Sequence, residues 1–464
     1  MARDYQLNKT LDPIRGMFWF PGEEDQTFSG VLHLEASKSA LLETSEFHYK
    51  GMEALFSGAP KREKGQSLKL QGKEMDDAMR WPAHRIIHGH DDHGNPITLI
   101  NCHSSNSNST MIHATRRFRC GAAIFGAHMA GDDLSCDGIR LHFDHMNAWV
   151  GRSAFGRYGE FREDKDGKKQ LKEIRIPVAE QSGIPLNLSN YQSSEFFCAW
   201  HMTSGEINNF KLENRVFLDL CFKEAISWSD ALAEAHKWQW FFSLATRTTV
   251  DIEHFSLYRN DTRHPVGKNT MEPIPVWIAR RHAPEILHKK RTQYDFYFDY
   301  DAIENDFSNI IARWHSIQKP WAAVLHRFFA VTSPRDLWVN EQFLFLAQAI
   351  ESLHRARSGQ TNQVDVGKAA KEAYLNAPND LQTLLGKRGL FVETFRKSRN
   401  YWTHYGEPSP ETDDRVLSNG DLMNFNEKLR WIVEAAILKE IGLPDTNIAN
   451  VWGEQWKMRT IKYA

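Results

Sequence analysis

Along the first part of the chain, apolar and polar residues alternate with the two-residue period of half-buried β-strands. Phe28, Gly30, Leu32 and Leu34 alternate with Ser29, Val31 and His33 after a Pro21-Gly22 turn, which predicts a strand. Residues 85–89 and 96–100 flank a turn of Asp, His, Gly and Asn, and so read as a hairpin. Residues 138–143 alternate again. The polar stretch 160–172 reads as a long turn or surface loop, and the Ser/Asn-rich stretch 104–110 as a loop.

From about Ser227 the period changes. Residues 228–244 have helical spacing, with Ser227 or Ser229 placed to cap the first turn. Residues 248–258 and 293–300 read as strands. After Lys319-Pro320 the pattern is helical nearly to the end, over 336–357, 365–375, 381–385, 390–405 and 421–441. Gly359, Pro378, Gly406 and Gly442 stand where these segments stop, and Asn419 or Asp421 is expected to cap the last one. The pattern predicts an α+β multidomain chain: a β-rich region over 1–320, with a further division near 190–225, then an all-α bundle over 321–464.

A chain of 464 residues is too long for one hydrophobic core, which agrees with several domains. The formal net charge of -2 does not announce a nucleic-acid partner, so any such site must be a local patch. Residues 1–12 carry Arg3, Asp4 and Lys9 and no apolar core of a secretory signal; no apolar run approaches bilayer length. Five cysteines at irregular spacing (Cys102, Cys120, Cys136, Cys198 and Cys221) point to reduced thiols. A cytoplasmic protein without membrane association is expected.

The segment 391–406 carries the chemistry. On a helix of about 100° per residue, Phe391, Phe395 and Trp402 share a side that can face a core. Arg396, Arg399, Asn400, Thr403 and His404 fall on a separate arc, free to face a cleft. Lys387, Arg388, Arg396, Lys397 and Arg399 lie between Leu381 and His404 with only Glu393 opposing them, a patch that attracts a polyanion. An Arg and a His at a helix end can also simply cap carbonyls.

Arg399-Asn400 followed by His404, near the end of a helix in a C-terminal bundle, resembles the signature of the HEPN superfamily. The preceding helical segment fits as well: Glu351 inside an apolar run resembles the inward-facing polar residue of such domains, although structural pairing with an Arg is an equal reading. Further upstream, three pieces in order are similar to ApeA proteins, anti-phage abortive-infection HEPN nucleases. They are Phe18-Trp19-Phe20-Pro21 before Gly30-Val31-Leu32, Ile87-His88-Gly89 before Ile97-Thr98-Leu99, and Phe125-Gly126-Ala127-His128 before Trp149.

The resemblance implies a ribonuclease that needs no metal and no cofactor. The RNA 2′-OH would attack its own neighbouring phosphorus. His404 would serve as general base or general acid, and Arg399 would bind phosphate and stabilise the charge of the transition state. Asn400 would orient the phosphate or the imidazole, with Arg396, Lys397, Thr403 and Glu351 as substrate-binding residues. The product would be a 2′,3′-cyclic phosphate, and DNA would be inert. The implied partners are host RNA, with tRNA favoured, a second copy of the chain to complete a two-motif cleft, and a phage component as trigger. The alternative functions are a non-catalytic HEPN module that binds RNA or nucleotide or acts as an antitoxin-like partner, and a ligand sensor run by the β-rich half.

Other features compete for attention. His88, His90, His93, Cys102, His103, His113, Cys120, His128 and Cys136 could supply zinc ligands, as could Cys198 and His201, but no paired Cys-x-x-Cys knuckle is present and scattered structural residues are the favoured reading. Arg116-Arg117-Phe118-Arg119, Arg280-Arg281 and Lys289-Lys290-Arg291 are basic clusters, read first as solvated surface. No P-loop, dinucleotide fingerprint or nucleophile elbow is present.

Overall fold

The computed structural model describes residues 7, 10–35, 38–45, 85–109, 114–129, 134–152, 158–163, 169–175, 183–204, 210–261, 272–278, 296–333, 337–359 and 364–443. They form two compact units. One comprises residues 1–142, 219–231 and 252–287, the other 143–218, 232–251 and 288–464. Both units are built from separate stretches of chain.

In the first unit, the strands β1 (Ile14–Trp19), β2 (Phe28–His33), β3 (Ala40–Ser45), β4 (Arg85–Asp91), β5 (Pro96–Ser109) and β6 (Ala114–Cys120) close into an antiparallel barrel. The order around it is β4–β1–β2–β3–β6–β5, and β5 pairs back onto β4. Burial alternates along β2 as the pleat requires, and Phe18, Leu32, Leu42, Ile87, Leu99 and Phe118 fill the interior. The predicted hairpin is β4–β5. Its turn is set by the Asp91 carboxylate, which accepts the backbone N–H groups of His93 and Asn95, and by Gly94 at φ 80°.

One expectation fails here. Residues 104–109 are not a loop but the end of β5, paired with β6 across a bulge between Ser104 and Ser107. Their polar composition hid a strand whose place rests on ladder hydrogen bonds that close the barrel. Outside the barrel, β7 (Ala122–Phe125) pairs with β5, β12 (Ile274–Ile278) with β7, and β11 (Ile252–Tyr258) with β12. β8 (Ser135–Phe143) lies beside β11.

The second unit holds the helical bundle. An aromatic core gathers Trp149 of α1 (Met146–Val150), Trp238, Phe241 and Phe242 of α2 (Trp228–Thr246), Phe298, Tyr300 of α3 (Tyr300–Ile303), and Phe307 and Trp314 of α4 (Phe307–Ile317). Trp149 donates its indole N–H to the Phe298 carbonyl at 2.8 Å, so the polar end of a fully buried ring is satisfied. The expected strand over 293–300 is absent where it can be seen: residues 296–299 are irregular and Tyr300 opens a helix. The run of aromatics there packs as core, not as a ladder. The expected surface loop over 160–172 is corrected at its two ends, because β9 (Tyr158–Glu163) and β10 (Lys169–Arg175) pair antiparallel; residues 164–168 lie outside the described residues.

The bundle itself follows the pattern closely. Its helices are α5 (Ala322–Thr332), α6 (Val339–Ser358), α7 (Val366–Asn376), α8 (Asn379–Leu385), α9 (Arg388–His404) and α10 (Asn419–Glu440). Helix α6 packs on α5, α7, α9 and α10, and α9 also packs on α7. Asp365 caps α7 by accepting the N–H groups of Gly367 and Lys368. Ser418, not Asn419 or Asp421, caps α10. Gly359 and Gly442 end α6 and α10 with φ of 69° and 91°.

Candidate active site

Helix α9 presents two faces. Phe391, Phe395 and Trp402 are buried, as the helical spacing predicts, together with Thr394 and Ser398. The other face ends in Arg399, Asn400, Thr403 and His404, where Asn400, Thr403 and His404 are exposed and Arg399 is half-buried. Tyr405 stops the helix in the left-handed region at φ 51°.

Arg399 is held from below. Its Nε donates to Glu351 Oε1 at 2.9 Å, and Glu351 on α6 is only 7% exposed. A planar guanidinium gripped at Nε keeps its remaining N–H groups in a fixed fork. Glu351 therefore sits where it orients the arginine; its carboxylate lies on the guanidinium, not on open space.

The flanking residues are partly engaged. Arg396 is exposed and pairs with Glu393 at 3.1 Å, a solvent-screened contact worth little. Lys397 is paired with Asp413. Arg415, and after it Lys397, hold the Asp413 carboxyl well below the usual carboxylate range. The Thr403 hydroxyl donates to the Arg399 carbonyl at 2.7 Å, the back-bonded arrangement of a helical Thr. Lys387 and Arg388 are exposed at the start of α9.

Sequence reasoning missed the segment that returns along α9. Ser398, fully buried, accepts the Leu417 N–H at 2.9 Å, and the Trp402 indole donates to the Leu417 carbonyl at 3.1 Å. With the Lys397–Asp413 pair, these contacts tie residues 413–417 to the helix that carries the motif. The visible signal was a Ser on the apolar side of α9 and an acidic Asp413-Asp414 pair beyond Pro410.

The upstream motif residues also meet. Gly89 lies so close to Phe18 that a Cβ there would stand 2.3 Å from the ring, and Gly30 faces the same ring. Trp19, His88, His90 and His128 form one aromatic cluster, with the His88 and His128 rings stacked at 4.9 Å. Burial first, and the neighbouring His128 besides, push the His88 imidazole below its ordinary value, against a hydrogen bond with the Met129 carbonyl. The Cys102 and Cys120 sulfurs lie 3.2 Å apart, both buried. Among the described residues, no group of three or more His, Cys, Asp or Glu could hold a metal ion. His113, the His201 side chain, Arg280, Arg281 and Lys289–Arg291 lie outside the described residues. Arg117 pairs with Glu43 at 2.8 Å.

An antiparallel barrel in one unit and, in the other, a bundle with Arg399, Asn400 and His404 at an open helix end over a buried Glu351 define a two-part protein with a HEPN module. The model of the Apea-like HEPN domain matches residues 344–447, and that of ApeA N-terminal domain 1 matches residues 13–314, more than half of the chain. The chain belongs to the ApeA family. No curated protein and no solved structure gave a match. The HEPN domain gives the chain an RNA-related function; such domains generally are ribonucleases and typically dimerise. Among the described residues, no helix is long and apolar enough to cross a membrane.

Proposed function

We propose that the chain is a cytoplasmic, metal-independent endoribonuclease of anti-phage abortive infection, cleaving tRNA or other host RNA by attack of a 2′-OH on the adjacent phosphate. The observation that carries this reading is the end of α9, where a half-buried Arg399 anchored on Glu351 shares the open last turns of the helix with the exposed Asn400 and His404.

In this scheme Arg399 takes two phosphate oxygens through its outward N–H groups and stabilises the charge that builds on the pentacoordinate phosphorus. His404 moves the proton, from the 2′-OH as base or to the 5′-oxygen leaving group as acid; imidazole titrates closest to neutral pH of the side chains. The P–O bond to the 2′-oxygen forms as that to the 5′-oxygen breaks, leaving a 2′,3′-cyclic phosphate. Asn400 orients the phosphate or the imidazole. Arg396, Lys397 and Thr403 line the approach of the RNA, Lys397 after exchanging Asp413 for a phosphate. Glu351 positions Arg399. A second copy completes the cleft, residues 321–464 act as the nuclease part, and residues 1–320 sense a phage component or position the RNA.

Incubation of the purified protein with total tRNA in EDTA, beside His404→Ala and Arg399→Ala, tests the reading. Cleavage by the parent and its loss in both variants is the expected result. RNA binding without cleavage by any of the three proteins would make the chain a binding module instead.

A further inference from the structure

The last turn of α9 and the first turn of α6 lie at one end of the bundle. Two contacts fix this: Glu351 accepts the Arg399 Nε–H at 2.9 Å, and the Tyr405 hydroxyl accepts from the Asn340 side-chain amide at 3.3 Å. The two helices therefore run antiparallel, and Trp338, immediately before α6, stands at the end where α9 finishes. Trp338 is 76% exposed and Tyr405 is 63% exposed. Single apolar side chains scattered over a surface are ordinary. Two aromatic rings at the end that carries His404 mark a surface for a partner.

Tyr405 is held there against its backbone preference. It stands in the left-handed region at φ 51°, in the position after a helix where glycine is the usual residue because it carries no Cβ. Gly406 comes one position too late to relieve it. The Tyr405 ring lies 5.8 Å from the Tyr401 ring and 5.8 Å from the Trp402 ring, and its hydroxyl is bonded to Asn340. A side chain in that region persists where its surroundings hold it. These contacts fix the ring without covering it, so an incoming group meets a π-face that is already ordered.

Position and chemistry choose the occupant. Tyr405 follows His404 directly, with about 3.8 Å between their Cα atoms. When Arg399 takes the phosphate, a ring next to His404 is placed to meet the base of the same or the adjoining nucleotide. Aromatic side chains stack on bases of any identity, since every base has a π-face. A base is open to such stacking once it is out of a duplex. Resting on the ribonuclease reading above, we propose that Tyr405 and Trp338 form a stacking platform for unpaired bases flanking the phosphate at Arg399, and that this platform makes the site select single-stranded RNA.

The test uses two forms of one short RNA with the full chain. A single strand with 2′-O-methyl riboses lacks the attacking hydroxyl and reports binding alone, by fluorescence anisotropy; the unmodified strand reports cleavage. Kd for the methylated strand is expected to rise roughly tenfold in Tyr405→Ala and in Trp338→Ala. It is expected to stay near the parent value in Tyr405→Phe and Trp338→Phe, which keep an aromatic ring. The parent is also expected to bind the strand more tightly than its duplex, by a margin that shrinks in both alanine variants. No binding of the strand, or equal binding by the parent and the alanine variants, overturns the platform whether or not the unmodified strand is cut. The expected losses of affinity without any cleavage uphold the platform and overturn the ribonuclease reading instead. Dissociation of a dimer in the alanine variants, seen by sedimentation, gives the rings to a contact between two copies and overturns the platform.

Discussion

Arg399 and Glu351, 48 positions apart, meet through Nε and Oε1 at 2.9 Å. The two ends of that contact differ in exposure: 24% for the arginine side chain, 9% for the carboxylate. Loss of the arginine leaves a carboxylate in the bundle interior without its partner; loss of the carboxylate leaves a guanidinium that can turn to water.

Arg399→Ala should therefore destabilise the protein more than Glu351→Ala, by roughly 1–3 kcal/mol against a smaller loss. The double variant should recover part of the difference, read by denaturant unfolding as a coupling energy. Equal losses that simply add would show that the pair is incidental. Glu351→Gln should retain more cleavage than Glu351→Ala, because an amide oxygen still accepts from Nε.

Ser398→Ala removes the hydroxyl that accepts the Leu417 amide. A part-buried amide left without an acceptor costs about 1 kcal/mol. The segment 413–417 should also loosen, seen as faster amide exchange at Leu417 with α6 unchanged. Unchanged exchange there would mean that the Lys397–Asp413 pair and the Trp402 contact suffice.

Gly89→Ala would place a Cβ 2.3 Å from the Phe18 ring and 2.8 Å from the Met17 carbonyl. Overpacking of this kind costs roughly 1–3 kcal/mol. Combination with Phe18→Leu should relieve part of it, as measured by Tm. A neutral Gly89→Ala would show that β1 and β4 do not approach as closely as described.

His88 is held below the ordinary imidazole value, chiefly by burial. Its unfolded form therefore binds a proton at a higher pH than its folded form does. Stability from this group is complete above about pH 6.5 and falls as the pH drops from there toward the lowered folded value. His88→Gln should flatten that part of the stability curve, followed by unfolding between pH 8 and 5.

The bundle was legible because its helices are amphipathic and carry local stop and start residues such as Gly359, Asp365 and Gly442. The β4–β5 hairpin was legible because Asp91 and Gly94 set its turn. The end of β5 and the β9–β10 pair were not: their sequences are largely polar, and it is ladder pairing that identifies them as strands. The aromatics at Phe296–Phe298 misled because apolar runs lack a period, and only the packing around Trp149 shows that they are core. At the site, the spacing of Arg399, Asn400 and His404 was visible, and Glu351 was seen as an odd polar residue. Its grip on Arg399 spans two helices, which no local pattern reports. The discontinuous units arise likewise from contacts between distant segments.

Since Arg399→Ala disturbs the bundle as well as the phosphate contact, His404, exposed at the end of α9, is the cleaner probe. The decisive measurement is the chemistry of the RNA ends left after digestion in EDTA, for the parent and for His404→Ala. The expected result is 2′,3′-cyclic phosphate ends, no cut at a nucleotide whose 2′-OH is replaced by hydrogen, and a rate at least ~10²-fold lower in His404→Ala. Cuts that need a divalent metal, leave 3′-hydroxyl ends, or persist at full rate without the imidazole would contradict it.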